Sequence, residues 1–127
     1  MIDLNTAEFY HNEIIDESGG LKGIRDEGSL LAALARPYAT FDQQDLYPTP
    51  IEKAAAIFES LIINHSFIDG NKRIAYVLMR LTLMDLYFDI MASDDEKYKM
   101  TITASTGEIR FDEIKAWIEE HLVSINP

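Results

Sequence analysis

The stretch Asn64 to Tyr76, NHSFIDGNKRIAY, sets a histidine, an aspartate, an Asp-Gly-Asn turn and two adjacent cations within nine residues. A neutral imidazole at His65 can take a proton from an attacking hydroxyl, the one chemical task phosphoryl transfer still needs once the phosphates are positioned. Asp69 supplies a hard oxygen ligand, and Mg²⁺ commonly binds through one or two carboxylates plus substrate phosphates. Gly70 and Asn71 make the turn, after which Lys72 and Arg73 occupy what reads as the first turn of a new helix. Helix starts usually carry acids, because the macrodipole is positive there. An anion bound at this point removes the conflict, since unpaired backbone N–H groups, the dipole and both cations all favour phosphate.

Taken singly, each residue has a plainer use. His65 alone is a hydrogen-bonded core histidine or a cation at a helix C-terminus, Asp69 an N-cap and Asn71 a turn residue. Lys72 and Arg73 alone are a solvated face, and Phe67 is a buried anchor in either reading. The combination at this spacing is what favours an anion site, because a local rule broken by sequence is expected mainly where function requires it.

The elements that must position these residues are helical. Thr6 begins a first helix running toward Glu17, ended by Ser18-Gly19-Gly20. Asp26 caps a second, whose Leu30, Leu31 and Leu34 recur at helical intervals until Pro37. Tyr38 to Pro48, with Phe41 and Tyr47, shows no period and reads as a connecting loop or short extended flap, its aromatics either clamping a target or anchoring the loop. Thr49-Pro50 is a strong start signal. Ile51, Ala54, Ala55, Phe58, Leu61 and Ile62 then form an apolar stripe that carries on to His65, which predicts an inward-pointing imidazole. Ile74, Val77, Leu78, Leu81 and Met84 make the facing stripe of a central helical hairpin. Ser93 caps an acidic-started helix ending near Gly107, and Ile114, Trp117, Ile118 and Leu122 mark the last. The expectation is an all-α bundle of about six helices forming one domain over residues 1–127.

A net charge of −11 from 22 acids and 11 bases repels phosphate backbones, which argues against direct nucleic-acid binding. Between Ser60 and Met84, however, Lys72, Arg73 and Arg80 face only Asp69, a positive island suited to a compact anion such as a nucleotide. The longest apolar run, Ile74 to Met79, is far short of the roughly 20 residues a membrane span needs. The opening MIDLNTAEFY has two acids and no Lys or Arg, so it does not read as a leader. Absence of cysteine makes a reducing cytoplasm the expected compartment. No Walker-type or GxGxxG loop occurs, and neither HRD nor DFG is present. His11 and His121 read as surface residues of acidic helices, Trp117 as part of a core stripe, and Asp94-Asp95-Glu96 as acids that a helix start welcomes.

HSFIDGNKR resembles the H-x-F-x-D-x-N-K-R signature of the death-on-curing (Doc) toxins, a branch of the Fic fold family. GGLKGIRDEGSLLAALARP, Phe41, LYPTPIEKAAAIFESLIINH and AWIEEHL are also similar to that family in order and spacing. The resemblance implies a Fic/Doc-type bundle with the active-site loop between two central helices. It implies His65 as general base, Asp69 as the Mg²⁺ ligand, Gly70 and Asn71 as an anion-binding turn contacting phosphate, and Arg73 as a partner of phosphate oxygens. Lys72 departs from the glycine of the broader family, which transfers AMP. In the Doc-like branch this lysine accompanies a reversed nucleotide that presents the γ-phosphate. Tyr76 stands where the broader family has a second arginine, and Ser66 replaces the usual proline, a change expected to loosen the loop.

The implied activity is transfer of the γ-phosphate of ATP to a Ser or Thr hydroxyl of a translation factor of the elongation factor Tu class, blocking protein synthesis. Transfer of AMP to a protein hydroxyl is the first alternative, and a non-catalytic binding module the second. The inhibitory pattern [ST]-x-x-x-[DE]-[GN] does not occur in the chain. Restraint is therefore expected from an antitoxin whose disordered tail folds into a groove near the active site.

Overall fold

The computed structural model describes residues 1–125. Asp3 starts α1 (Leu4–Ser18), its carboxylate accepting the Thr6 N–H at 2.8 Å. Because Asp3 rather than Thr6 is the cap, the helix begins earlier than the sequence predicts. Asp26 caps α2 (Glu27–Ala35) through the Ser29 N–H at 3.0 Å, and Pro37 sits in a short 3₁₀ turn over Arg36–Tyr38. Thr49 and Pro50 open α3 (Pro50–Asn64) as expected, with the Thr49 hydroxyl accepting from Glu52 N–H. After the motif loop come α4 (Asn71–Met84), α5 (Asp94–Ser105) and α6 (Phe111–His121). Ser93 and Glu96 form a reciprocal capping box at the start of α5.

Among the described residues four short strands join these six helices. β1 (Thr40–Phe41) and β2 (Gln44–Asp45) pair antiparallel around Asp42 and Gln43, both at positive φ, so the flap is a tight hairpin. β3 (Phe88–Ile90) pairs antiparallel with β4 (Leu122–Ser124), Asp89 opposite Val123. Leu122 therefore lies outside the last helix, contrary to expectation. The His121 ring nitrogen Nδ1 engages the Trp117 carbonyl at 2.7 Å, and the chain leaves α6 in extended conformation. Strands of two or three residues are too short for alternation to show.

Buried side chains from all six helices form one cluster. α3 runs through its middle, where fully buried Ala54, Ala55 and Ala56 let neighbouring helices approach closely. Phe58, Leu61 and Ile62 of α3 meet Ile74, Leu78 and Met79 of α4 in that core. Complete burial of one such side chain contributes about 1.5–3 kcal/mol. Glu59, also buried, bonds Arg36 at 2.8 Å, Arg110 at 3.0 Å and the Phe111 N–H at 2.7 Å. Burial pushes its carboxyl pKa up, but the two guanidiniums and the N–H outweigh this and hold it below the ordinary value. Among the described residues no helix is long and apolar enough to cross a membrane.

Candidate active site between α3 and α4

α3 ends at Asn64 because His65 adopts left-handed backbone, φ 51° and ψ 53°. That turn takes His65 off the apolar stripe of the helix. The imidazole is exposed, not packed inward as the stripe predicts, and it lines a cleft of about 790 Å³. A non-glycine residue in this conformation costs roughly 1–2 kcal/mol, so the surroundings must fix it.

The connection between α1 and α2 does so. Arg25 donates from Nε to the His65 carbonyl at 2.7 Å and from Nη2 to the Asn64 carbonyl at 2.8 Å. The N–H groups of Arg25 and Asp26 both reach the Ser66 carbonyl, and Ile68 N–H reaches the Gly23 carbonyl. Farther along, Leu21 N–H meets Asp69 Oδ2 at 3.1 Å, and Arg73 bonds the Ser18 hydroxyl. The two loops thus run side by side, held residue by residue. Gly20 permits the closest approach: a Cβ there would lie 2.7 Å from Asp69 Oδ2, and its φ of +121° already favours glycine.

Ser66 is tied in by these bonds rather than loosened. It is buried, and its hydroxyl lies 2.8 Å from that of Ser29. Phe67 is the buried anchor expected, and His11 stacks on it with ring centroids 4.0 Å apart. His11 is therefore not a surface residue. It is 1% exposed, and its Nε2 donates to the Asp69 carbonyl at 2.7 Å, since a carbonyl can only accept. The sequence reading missed it because one histidine on an acidic helix carries no sign of the loop that covers it.

Asp69 does not cap α4. The cap residue is Gly70, at φ 71°, and no side chain occupies the capping role, so the first N–H groups of α4 are left without a side-chain acceptor. Asp69 instead accepts from Leu21 N–H and, through Oδ1, from Gly70 N–H at 2.9 Å. Those two N–H groups, then the Arg73 charge, hold its carboxyl below the ordinary carboxylate range. Asn71 braces the loop: Oδ1 accepts from Phe67 N–H and Nδ2 donates to the Phe67 carbonyl, both at 3.0 Å.

Lys72 and Arg73 are exposed and line the cleft together with His65, Asp69, Gly70 and Asn71, so all six predicted site residues share one wall. Lys97 of α5 adds a cation to the lining, which sequence separation concealed, and Glu17 of α1 adds an acid. Arg80 does not contribute to the positive island, because Asp89 of β3 takes its guanidinium in two bonds of 2.9 and 2.8 Å. Tyr76 lines the cleft too; burial pushes its hydroxyl pKa up to about 12, and the hydroxyl oxygen has no partner among the described residues.

The Asp69 oxygens each accept one hydrogen bond and keep lone pairs free. Among the described residues no group of three or more His, Cys, Asp or Glu side chains is gathered for a metal. One ionised carboxylate at an anion turn fits Mg²⁺ shared with phosphates better than a cation caged by protein alone.

His121 is likewise no surface histidine: it stacks on half-buried Trp117 at 4.2 Å and reaches Glu96 at 2.9 Å. In the flap the two aromatics divide. Tyr47 anchors the loop, its hydroxyl accepting from Arg36 and its ring against Phe111, whereas Phe41 is 75% exposed.

The family model described as Fic/DOC family matches residues 2–83, from before α1 almost to the end of α4, and so includes the whole loop and its brace. A protein from Mycolicibacterium smegmatis named Toxin Doc is 52% identical over 58 residues. That match spans 46% of this chain and 45%, under half, of the relative's length. With well over half of its residues matched by the family model, the chain belongs to the Fic/Doc family.

Proposed function

We propose that this protein is the toxin of a toxin–antitoxin pair and transfers the γ-phosphate of ATP to a Ser or Thr hydroxyl of a translation factor of the elongation factor Tu class. The observation that carries the reading is the convergence of His65, an ionised Asp69, the uncapped start of α4, Lys72 and Arg73 on one cleft. Similarity to a protein named Toxin Doc supports the biological role.

In this reading His65 takes the hydroxyl proton as the acceptor oxygen bonds to the γ-phosphorus and the bond to the β,γ-bridging oxygen breaks, releasing ADP. Backbone N–H groups at Asn71 and beyond, with Lys72 and Arg73, hold the phosphate oxygens. The Asn71 side chain shapes the turn through Phe67, and the second N–H of its amide, with its backbone N–H, is left to meet phosphate. Asp69 would hold Mg²⁺, which when bound would neutralise charge on the phosphates. Lys72 fills space that an α-phosphate would need for AMP transfer.

The antitoxin tail is expected along the same cleft, where Ile68 and Tyr98 are 50% and 66% exposed. A substrate and a target of these kinds fit an activity in the cytoplasm.

Titration of ATP with Mg²⁺ into the native protein and His65→Ala tests the division of roles. Equal binding heats are expected, with transfer lowered by about 10²- to 10⁴-fold in the variant. Full transfer by His65→Ala would remove the base assignment, and no nucleotide heat in the native protein would leave a binding module.

A further inference from the structure

Arg25 belongs to neither the anion turn nor the set of residues that line the cleft, yet it holds the backbone that carries His65. Its guanidinium fork spans two consecutive carbonyls, Asn64 at 2.8 Å and His65 at 2.7 Å, and its own N–H takes a third, Ser66, at 2.8 Å. The first two lie at the C-terminal end of α3, where the helix dipole is negative and carbonyls lack intrahelical donors. A planar guanidinium satisfies both acceptors at once, which an ammonium cannot match in geometry.

In a chain of net charge −11, Arg25 forms no ion pair with a carboxylate among the described residues. Its donors are spent on the backbone of the left-handed turn instead. The anion turn has other supports: Leu21 N–H and His11 for Asp69, and the Asn71 side chain for Phe67. The two halves of the loop are therefore braced separately.

We infer that Arg25 is a positioning residue, fixing the left-handed turn from which the His65 imidazole enters the cleft. This rests on His65 being the base of the proposed transfer. Loss of the guanidinium lets the α3 end relax and misplaces the imidazole while the phosphate-holding half stays formed. Misplacement of this kind costs about 10- to 100-fold in turnover.

The test compares native protein, Arg25→Ala and Arg25→Lys with ATP, Mg²⁺ and purified elongation factor, alongside imidazole and amide NMR spectra of each protein. Expected are a turnover loss of about 10- to 100-fold in Arg25→Ala, an ATP KM within about twofold of native, and partial recovery on adding guanidinium ion. Arg25→Lys, with the charge but not the fork, falls between. The His65 ring resonances move while the amides of Gly70 to Arg73 stay in place. Native turnover in Arg25→Ala, a matching loss of ATP affinity, or unmoved His65 resonances would overturn the inference. Should the native protein transfer nothing, the reaction reading fails, and the His65 resonances still decide the role of Arg25. Should Arg25→Ala not fold, the Arg25→Lys spectrum decides by the same criterion.

Discussion

Asn71 shows how a residue's type can be legible while its contacts are not. The sequence marks it as a turn residue and resemblance implies a phosphate contact; neither announces that its amide also grips both polar groups of the Phe67 backbone. Asn71→Ala leaves that N–H and carbonyl, beside a fully packed ring, without partners, a cost of about 1–3 kcal/mol. A lower melting temperature with weakened ATP binding is expected; unchanged melting would show that water replaces the amide without penalty. His65, Asp69, Lys72 and Arg73 were visible because unusual types cluster within nine residues. His11 and Arg25 were not, since each acts through a backbone carbonyl of the loop, and a carbonyl carries no sequence label.

Helix boundaries were legible where a side chain writes them: Asp26, Thr49 and Ser93 each cap the helix that the sequence assigns to them. The connection between α1 and α2 was read only as a stop, Ser18-Gly19-Gly20, because its role as the brace of the motif loop depends on tertiary pairing. The α5–α6 latch is similar. The Ser93 N–H, then His121, lowers the Glu96 pKa to about 2 from 4.5, and the Trp117 carbonyl, then Glu96, raises that of His121 from 6.5. The depressed acid contributes stability above pH 4.5 and loses it as pH falls toward 2. The raised histidine contributes fully below pH 6.5 and loses its share as pH rises through its folded-state value. The melting difference between native protein and His121→Gln should therefore be largest between pH 4.5 and 6.5 and shrink as pH rises through the raised folded-state value of His121. A difference that stays constant across this range would show that stacking on Trp117, not charge, joins the two helices.

Across the whole molecule, the all-α class follows from apolar stripes at helical spacing. The α3 stripe and Ile74 and Leu78 of α4 do form the shared core, whereas Val77 lines the cleft and Met79 and Leu83 are buried instead of Val77 and Met84. What patterning leaves out is the polar framework: buried Glu59 joining α3 to Arg36 and to the start of α6, and Arg80 joining α4 to β3. Such ties join side chains on different elements, so the spacing within one helix does not announce them. They also sort the charges, leaving Lys72, Arg73 and Lys97 to the cleft while Arg36 and Arg80 serve the scaffold. An acidic protein can in this way present a small cationic cleft to a compact anion, here the proposed nucleotide. The most direct test is the intact mass of a purified bacterial elongation factor after incubation with this protein, ATP and Mg²⁺, beside a His65→Ala control. A phosphoryl-sized gain that the control lacks is the predicted result; an adenylyl-sized gain, or a phosphoryl gain that persists in His65→Ala, would contradict it.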